Sequence, residues 1–412
     1  VSDLLDRSSL ARIQVSIAAT FLAEALLFAS WTAHIPHIKA ELALSDGALG
    51  TALLGAPIGS VTAMLLSTRL LPRLGSRRMI QLTIVGYALG GIAVGSAGSP
   101  VQLFGALAFW GLFQGSLDVA MNTQAVTVER AVGKPIMARL HGIWSIGGFL
   151  GALVGAAAVL VGIDLSVQFA VLGIAAVVAI EVLSRALIPD SAGPRVRKAQ
   201  SGTKSRRLRP APIVITLGGI AFASMLGEGA AADWSATYLR DELGAGAALA
   251  GLGYAGYALA MVTVRLSGTM LQSRFRNASL LPALALVFAA GMSVALLARQ
   301  PIVGLLGFAA MGIGLALIVP SAFSAAGAAS QDNSPTNAGS AIATVAALGW
   351  LGYVSGPPLI GHLADVVGLD TALWVLPLLA LAIAATARYS GAFATRSKSE
   401  QPPVETADSL LR

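Results

Sequence analysis

Four carboxylates interrupt long apolar stretches of this sequence: Glu24, Asp118, Glu228 and Asp233. Where such a stretch crosses a lipid bilayer, a charged side chain at mid-depth costs about 2.5–3.5 kcal/mol on insertion scales, so its presence needs a chemical reason. A carboxyl in low dielectric favours its neutral form, the property a proton carrier uses. Glu24, Asp118 and Glu228 are therefore the proton-coupling candidates, against the plainer reading of carboxyls hydrogen-bonded between helices. Phe28 and Trp31 follow Glu24 at i+4 and i+7, on its own helical face. Trp110, Gln114, Asp118 and Asn122 recur every four residues and lay one polar and aromatic stripe along a helix. Such a stripe is costly against lipid, so it is expected to face a bundle interior or water. Ring faces that stack, beside amides and carboxylates that bond to hydroxyls, suit a hydroxylated ligand; hydrogen bonding between helices is the bland alternative.

Glu228 has Ser235 and Tyr238 at i+7 and i+10. Trp234 and Tyr238 are taken as further ligand contacts, and Asp233, near the outer mouth, as a gate or helix-end contact or equally a ligand. His141 opens another apolar run, with Ser145 and Gly148 below it on one face. It is placed to gate or to relay protons, or simply to sit at headgroup level. Trp144 and Ser145 on the same run join the ligand contacts. His34 and His37 flank Pro36 in what reads as an outer loop, with no third ligand in reach, so no metal site is expected. Glu181 and Arg185 have the spacing of an ordinary helix pair. Gly251-Leu-Gly-Tyr-Ala-Gly256 has a dinucleotide-loop spacing but lies in an apolar run without a βαβ context, so close helix packing explains it better. Gly111 with Gly115, and Gly147 with Gly151 and Gly155, read as small-residue helix contacts. No P-loop, nucleophile elbow or zinc signature occurs, which argues against an ATP-driven pump or a hydrolase, and the protein is not expected to be an enzyme.

The elements that must position these residues are membrane helices. Hydrophobic residues make up 56% of the 412 positions and charged residues 11%, against roughly 25% charged in an ordinary soluble domain. Mean hydropathy is +0.77. About twelve apolar runs are long enough to span, at about 13–34, 47–68, 79–98, 101–126, 138–161, 166–188, 212–236, 246–270, 279–298, 301–325, 337–362 and 370–390. A sequence pI near 10.0 raises the question of nucleic acid. The basic residues, however, form short clusters between apolar runs with no aromatic interleaving, so a bilayer rather than a nucleic acid is the expected partner. No cysteine is present and no cleavable signal peptide is evident, so disulfides are excluded.

With the N-terminus in the cytoplasm, 24 of the 27 Lys and Arg fall on the cytoplasmic side; Lys39, Arg240 and Arg299 are the exceptions. That asymmetry requires an even number of alternating helices and cytoplasmic termini. Residues 190–211 are polar, basic and rich in Pro, Gly and Ser, and read as a cytoplasmic linker. They divide a first six-helix half, 1–189, from a second, 212–390, with a cytoplasmic tail at 391–412. The halves echo each other faintly: Glu24 to Trp31 matches Glu228 to Trp234, and Arg73-Leu74 matches Arg274-Phe275.

The turn Arg69-Leu-Leu-Pro-Arg-Leu-Gly-Ser-Arg-Arg78 resembles the loop between helices 2 and 3 of the major facilitator superfamily. Arg73, Gly75, Arg77 and Arg78 match that motif, while Pro72 stands for its Asp and Thr68 for its leading Gly. The stretches Trp31 to Lys39, Asp118 to Asn122, His141 to Ser145, Glu228 to Trp234 and Gly356 to Gly361 resemble the MosC/YbjJ-like branch, related to sugar–proton symporters of the fucose permease type. The resemblance implies an all-α fold of twelve transmembrane helices in two pseudo-symmetric halves, with helices 1, 4, 7 and 10 around a central cavity. It implies alternating access and proton-coupled symport of a small sugar- or polyol-like solute. Arg73, Gly75, Arg77, Arg78, His141, Asp233 and Arg265 are the expected motif and gating residues. No cofactor is expected beyond a proton gradient. The expected setting is a monomer in the bacterial cytoplasmic (inner) membrane, with a small molecule and the bilayer as partners. Proton-coupled efflux of drugs or metabolites is the main alternative, and a transporter-like receptor or sensor a lesser one.

Overall fold

The computed structural model describes residues 7–132, 136–188, 212–331 and 338–393. The linker read at 190–211 lies outside them, as does the tail beyond residue 393. Among the described residues the chain is helical and has no strands. Helices are what hydrocarbon permits, because each one satisfies its own backbone donors and acceptors. Twelve are long and apolar enough to cross a membrane. In the first half these are α1 (Ser9–Glu41), α2 (Asp46–Leu74), α3 (Ser76–Gly95), α4 (Pro100–Glu129), α5 (Arg139–Leu160) and α6 (Leu165–Ala186). In the second they are α7 (Pro212–Glu242), α8 (Ala247–Leu266), α9 (Asn277–Ala298), α10 (Pro301–Ala329), α11 (Ser340–Val367) and α12 (Leu369–Tyr389).

Side-chain periodicity sorts each helix into a lipid face and a packed face. On α6, Val167, Val171, Ile174, Val178 and Val182 form a continuous stripe, each more than half exposed. On a helix long and apolar enough to span, such a stripe suits acyl chains. The packed faces make the same helix pairs twice. α1–α5, α2–α4, α3–α4 and α3–α6 recur as α7–α11, α8–α10, α9–α10 and α9–α12. The halves then meet along α2–α11 and α5–α8.

Several helices are interrupted, and the breaks change the sequence-based picture. α1 is helical to Ser30, makes a 3-10 turn at Thr32–His34 and resumes as a helix over Ile35–Glu41. His34 and His37 therefore lie on a helical extension of α1 rather than in an outer loop. His34 is buried, its Nε2 3.0 Å from Gln168 Oε1, so its ring is tied into the first half. α7 passes into a π-helical turn at Tyr238–Glu242. α10 breaks between Leu315 and Ile318. At the end of α6 the chain tightens into a 3-10 turn, Ser184–Ala186, which alters the register between Glu181 and Arg185. That expected pair is not among the ion pairs of the described residues, which are Lys39–Asp46, Lys39–Asp241 and Arg299–Asp370.

Small residues set the helix spacing where they were expected to. A Cβ on Gly151 would run into the backbone of Leu26, and Gly147 and Gly155 sit likewise over Leu22 and Ser30. Gly111 and Gly115 face the backbones of Ala56 and Ser60, and Ser60 Oγ donates to Gly111 O at 3.0 Å. Gly251 packs on Ala156 and Ala33 across the two halves, a helix contact rather than a phosphate loop. Gly151→Ala is expected to cost about 1–3 kcal/mol by overpacking the α1–α5 contact. Gly219→Ala, where a Cβ meets open space, should be neutral. Thermal denaturation of the purified full chain in detergent measures both.

Candidate functional site

Between the halves lies a cavity of about 270 Å³. α1 supplies Glu24, Phe28 and Trp31; α4 supplies Trp110, Gln114 and Asp118; α5 supplies His141 and Trp144. From the second half come Glu228 and Asp233 on α7, Tyr254 and Arg265 on α8, and Trp350, Tyr353 and Pro357 on α11. The resemblance implied a wall of helices 1, 4, 7 and 10. Here α10 contributes no lining residue, and α11 takes that wall together with parts of α2, α5 and α8. Tyr254, Trp350 and Tyr353 were not singled out from the sequence, because no mid-depth carboxylate shares their helices. Trp350, Tyr353 and Pro357 at i, i+3 and i+7 were the available signal.

Glu24 is the hub of the first half. It is 2% exposed. Gln114 Nε2 donates to one of its carboxyl oxygens at 3.2 Å, and the indole N–H of Trp144 donates to the other. One carboxyl thus ties α1 to α4 and α5, which satisfies its oxygens in a low-dielectric setting. Asp118 takes a different partner: Asn122 Nδ2 donates to both its Oδ1 and its backbone oxygen, each at 2.9 Å. Asn122 therefore stands behind Asp118 and does not line the cavity. Glu228 and Asp233 line the cavity without a hydrogen bond or ion pair to any described residue. Asp233, expected at the outer mouth, faces the same space as Glu228.

Above Glu24 the walls are aromatic. Trp110 is sandwiched between Tyr87 and Phe28, with ring centroids at 5.1 and 6.2 Å and nearly parallel planes. Trp31 meets it edge-on at 5.9 Å. Trp234 and Tyr238, expected as ligand contacts, are fully buried in the second half instead. Their rings fill the packed interior: Tyr238 stands at the start of the π-turn and meets Phe308 of α10 edge-on, with ring centroids 6.3 Å apart. Ser145 Oγ donates to His141 O at 3.0 Å and borders a narrow crevice between α5 and α8 rather than the cavity. Arg73 and Arg78 are exposed, and Gly75, at φ 78°, makes the tight joint from α2 to α3; this motif lies away from the cavity.

The cavity has unlike ends. At one, polar contacts join the halves. Lys39 Nζ bridges Asp46 Oδ1 at 2.6 Å and Asp241 Oδ2 at 2.8 Å. Asp365 accepts from Ser45 Oγ at 3.0 Å and Gly47 N at 2.9 Å, capping the start of α2 from the opposite half. Thr51 Oγ1 lies 3.1 Å from His362 Nε2. None of Lys39, Asp241, His362 or Asp365 was assigned a role from the sequence, since the partners are 202 to 320 positions apart. Toward the other end, where the basic loops lie, the cavity is bordered by Met64, Met121, His141 and Arg265, and His141 is exposed. Arg265 Nε donates to Ala316 O at 3.2 Å, a carbonyl freed by the break in α10.

Residues 16–333 match the family model described as Major Facilitator Superfamily. An uncharacterized MFS-type transporter of Yersinia pestis is 32% identical over 91% of this chain and 95% of its own length. The membrane protein MosC of Rhizobium meliloti is 28% identical over 94% and 91%. Among solved structures, a mutant of the nucleoside transporter NupG superposes with a TM-score of 0.72 at 14% identity, covering 91% of this chain and 98% of that one. A bacterial homolog of the human lysosomal transporter Spinster, inward-facing and unoccupied, gives 0.66 at 15% identity, covering 94% and 97%.

Because the chain has no native cysteine, the closed end can be probed by cross-linking. Lys39→Cys with Asp241→Cys is expected to be bridged in membranes by a short bismaleimide, because an ion pair through a long lysine leaves the two backbones farther apart than a disulfide spans. Gel mobility against each single variant checks it; no bridging means that these two helix ends do not meet.

Proposed function

The chain belongs to the Major Facilitator Superfamily, and from that premise we propose that it is a secondary active transporter that moves a small polar solute with protons by alternating access. Membership places it among multi-pass membrane transporters rather than enzymes. The observation that carries the finer reading is Glu24, a buried carboxyl at the wall of a cavity between two six-helix halves, held by one donor from α4 and one from α5. A proton arriving on Glu24 converts an acceptor of two hydrogen bonds into a group that must also donate. The three helices it joins then have reason to shift. Asp118, lower on the same wall, offers a second protonation site on the side of His141.

Alternating access follows from the unlike ends. Lys39, Asp365 and His362 close one end, and the basic end is the open side. Lys and Arg concentrate at cytoplasmic loops, so we assign the basic face, and with it both termini, to the cytoplasm of a bacterial inner membrane. In that orientation this conformation is inward-facing, the state named for the Spinster homolog of similar fold. The cycle opens the Lys39–Asp241 end and closes the basic end around the same cavity. The volume lies just below the roughly 300–1,000 Å³ of most small-molecule sites, which supports a solute of monosaccharide size. Aromatic faces beside the amide of Gln114 suit a sugar- or polyol-like cargo, and the direction proposed is uptake.

Proteoliposomes containing the full chain and a pH-sensitive dye test this against a panel of sugars, polyols, amino acids and lipophilic drugs. A cargo gradient is expected to drive proton movement in the same direction. Glu24→Gln and Asp118→Asn should each lower that flux about tenfold or more while leaving solute binding measurable. Normal coupling in both variants would remove these two residues as carriers. Proton release on adding drugs, with no response to hydrophilic solutes, would replace uptake by antiport.

A further inference from the structure

The two halves bring different kinds of carboxyl to the cavity. Glu24 and Asp118, from the first half, already have side-chain donors within the protein. Glu228 and Asp233, from the second, have none among the described residues, although both line the cavity. Carboxylates removed from water without a partner are costly, and a cation that binds beside them offsets that cost. The protein supplies little positive charge of its own. Of the cavity-lining residues only Arg265 carries a guanidinium; it stands at the basic end, and its Nε is engaged by Ala316 O.

The surrounding groups favour an organic ammonium over a bare metal ion. Tyr254 on α8 and Trp350 and Tyr353 on α11 line the cavity from the same half of the chain as Glu228 and Asp233. Aromatic faces beside carboxylates attract ammonium groups through their quadrupoles. Among the described residues, no group of three or more His, Cys, Asp or Glu side chains is arranged to hold a metal ion. One further donor looks for a partner. Trp31 is 4% exposed, lines the cavity, and has no acceptor for its indole N–H among the described residues. A hydroxyl on the cargo supplies that acceptor.

Resting on the transporter reading above, we propose that the cargo is a hydroxylated amine of monosaccharide size, whose protonated nitrogen sits in the joint field of Glu228 and Asp233 while a hydroxyl accepts from Trp31. The second half then recognises the cargo's charge, and the first half holds the coupling protons. An uncharged sugar of the same shape leaves both helix-7 carboxylates unpaired, so the site discriminates against it.

The test uses the purified full chain, with glucosamine, galactosamine and mannosamine as amine probes, and glucose and N-acetylglucosamine as neutral ones. Isothermal titration calorimetry at a pH where the amines are protonated is expected to show binding of at least one amine, at least about tenfold tighter than either neutral probe. Glu228→Gln and Asp233→Asn should each remove most of that preference. Asp233→Glu, which keeps the charge, should restore part of it, and size-exclusion profiles identify any variant that fails to fold. Equal or tighter binding of glucose, no binding of any amine probe, or an unchanged preference in both folded variants overturns the proposal. The two readings fail separately. Proton flux driven by glucose keeps the symporter and discards the amine; tight amine binding without proton flux does the reverse.

Discussion

Hydrocarbon offers no hydrogen bonds, and that constraint organises this protein from the backbone outward. It obliges the chain to cross as helices, which settle their own peptide groups. It then obliges each ionisable side chain within the bundle to turn away from lipid. Glu24 shows the consequence most clearly. Its two oxygens collect an amide donor from α4 and an indole donor from α5, so a single carboxyl becomes the joint between three helices. A carboxyl in that position holds the architecture, and under the proposed coupling a change in its proton content would reach both neighbours at once.

The same constraint explains why the contacts between the halves are uneven. Along most of their length the halves touch through small residues, as where Gly251 of α8 packs on Ala156 of α5. Such contacts are close but carry no directional bond, so they tolerate rolling of one half on the other. Directional polar contacts gather where the helices leave the hydrocarbon, at Lys39, Asp46, Asp241, His362 and Asp365. Water is available there to take over each partner when a contact opens. A set of partly exposed ion pairs and caps, each of modest strength, suits an end that the proposed cycle both closes and opens.

Two of the three basic residues that depart from the charge asymmetry have partners at that far end. Lys39 is shared by two carboxylates, and Arg299 pairs with Asp370 at 2.8 Å. What looks like noise in a charge count is in these cases local chemistry, a cation kept beside its counter-ion.

Much of the fold was legible in the sequence. The twelve spans, the grouping of basic residues at one face, the glycine contacts at Gly111, Gly115 and Gly151, and the inward stripe of Trp110, Gln114 and Asp118 are readable because helical period and the cost of charge in lipid are properties of short segments. Tertiary structure alone decided which carboxyls have donors and which stand open, that α11 rather than α10 lines the cavity, that Trp234 and Tyr238 are turned into the core, and that Asp365 caps α2 from the other half. These depend on contacts between residues up to 320 positions apart and on local breaks such as the π-turn at Tyr238. A periodic reading of one helix at a time contains neither the partner across the interface nor the change of register that aims the side chain.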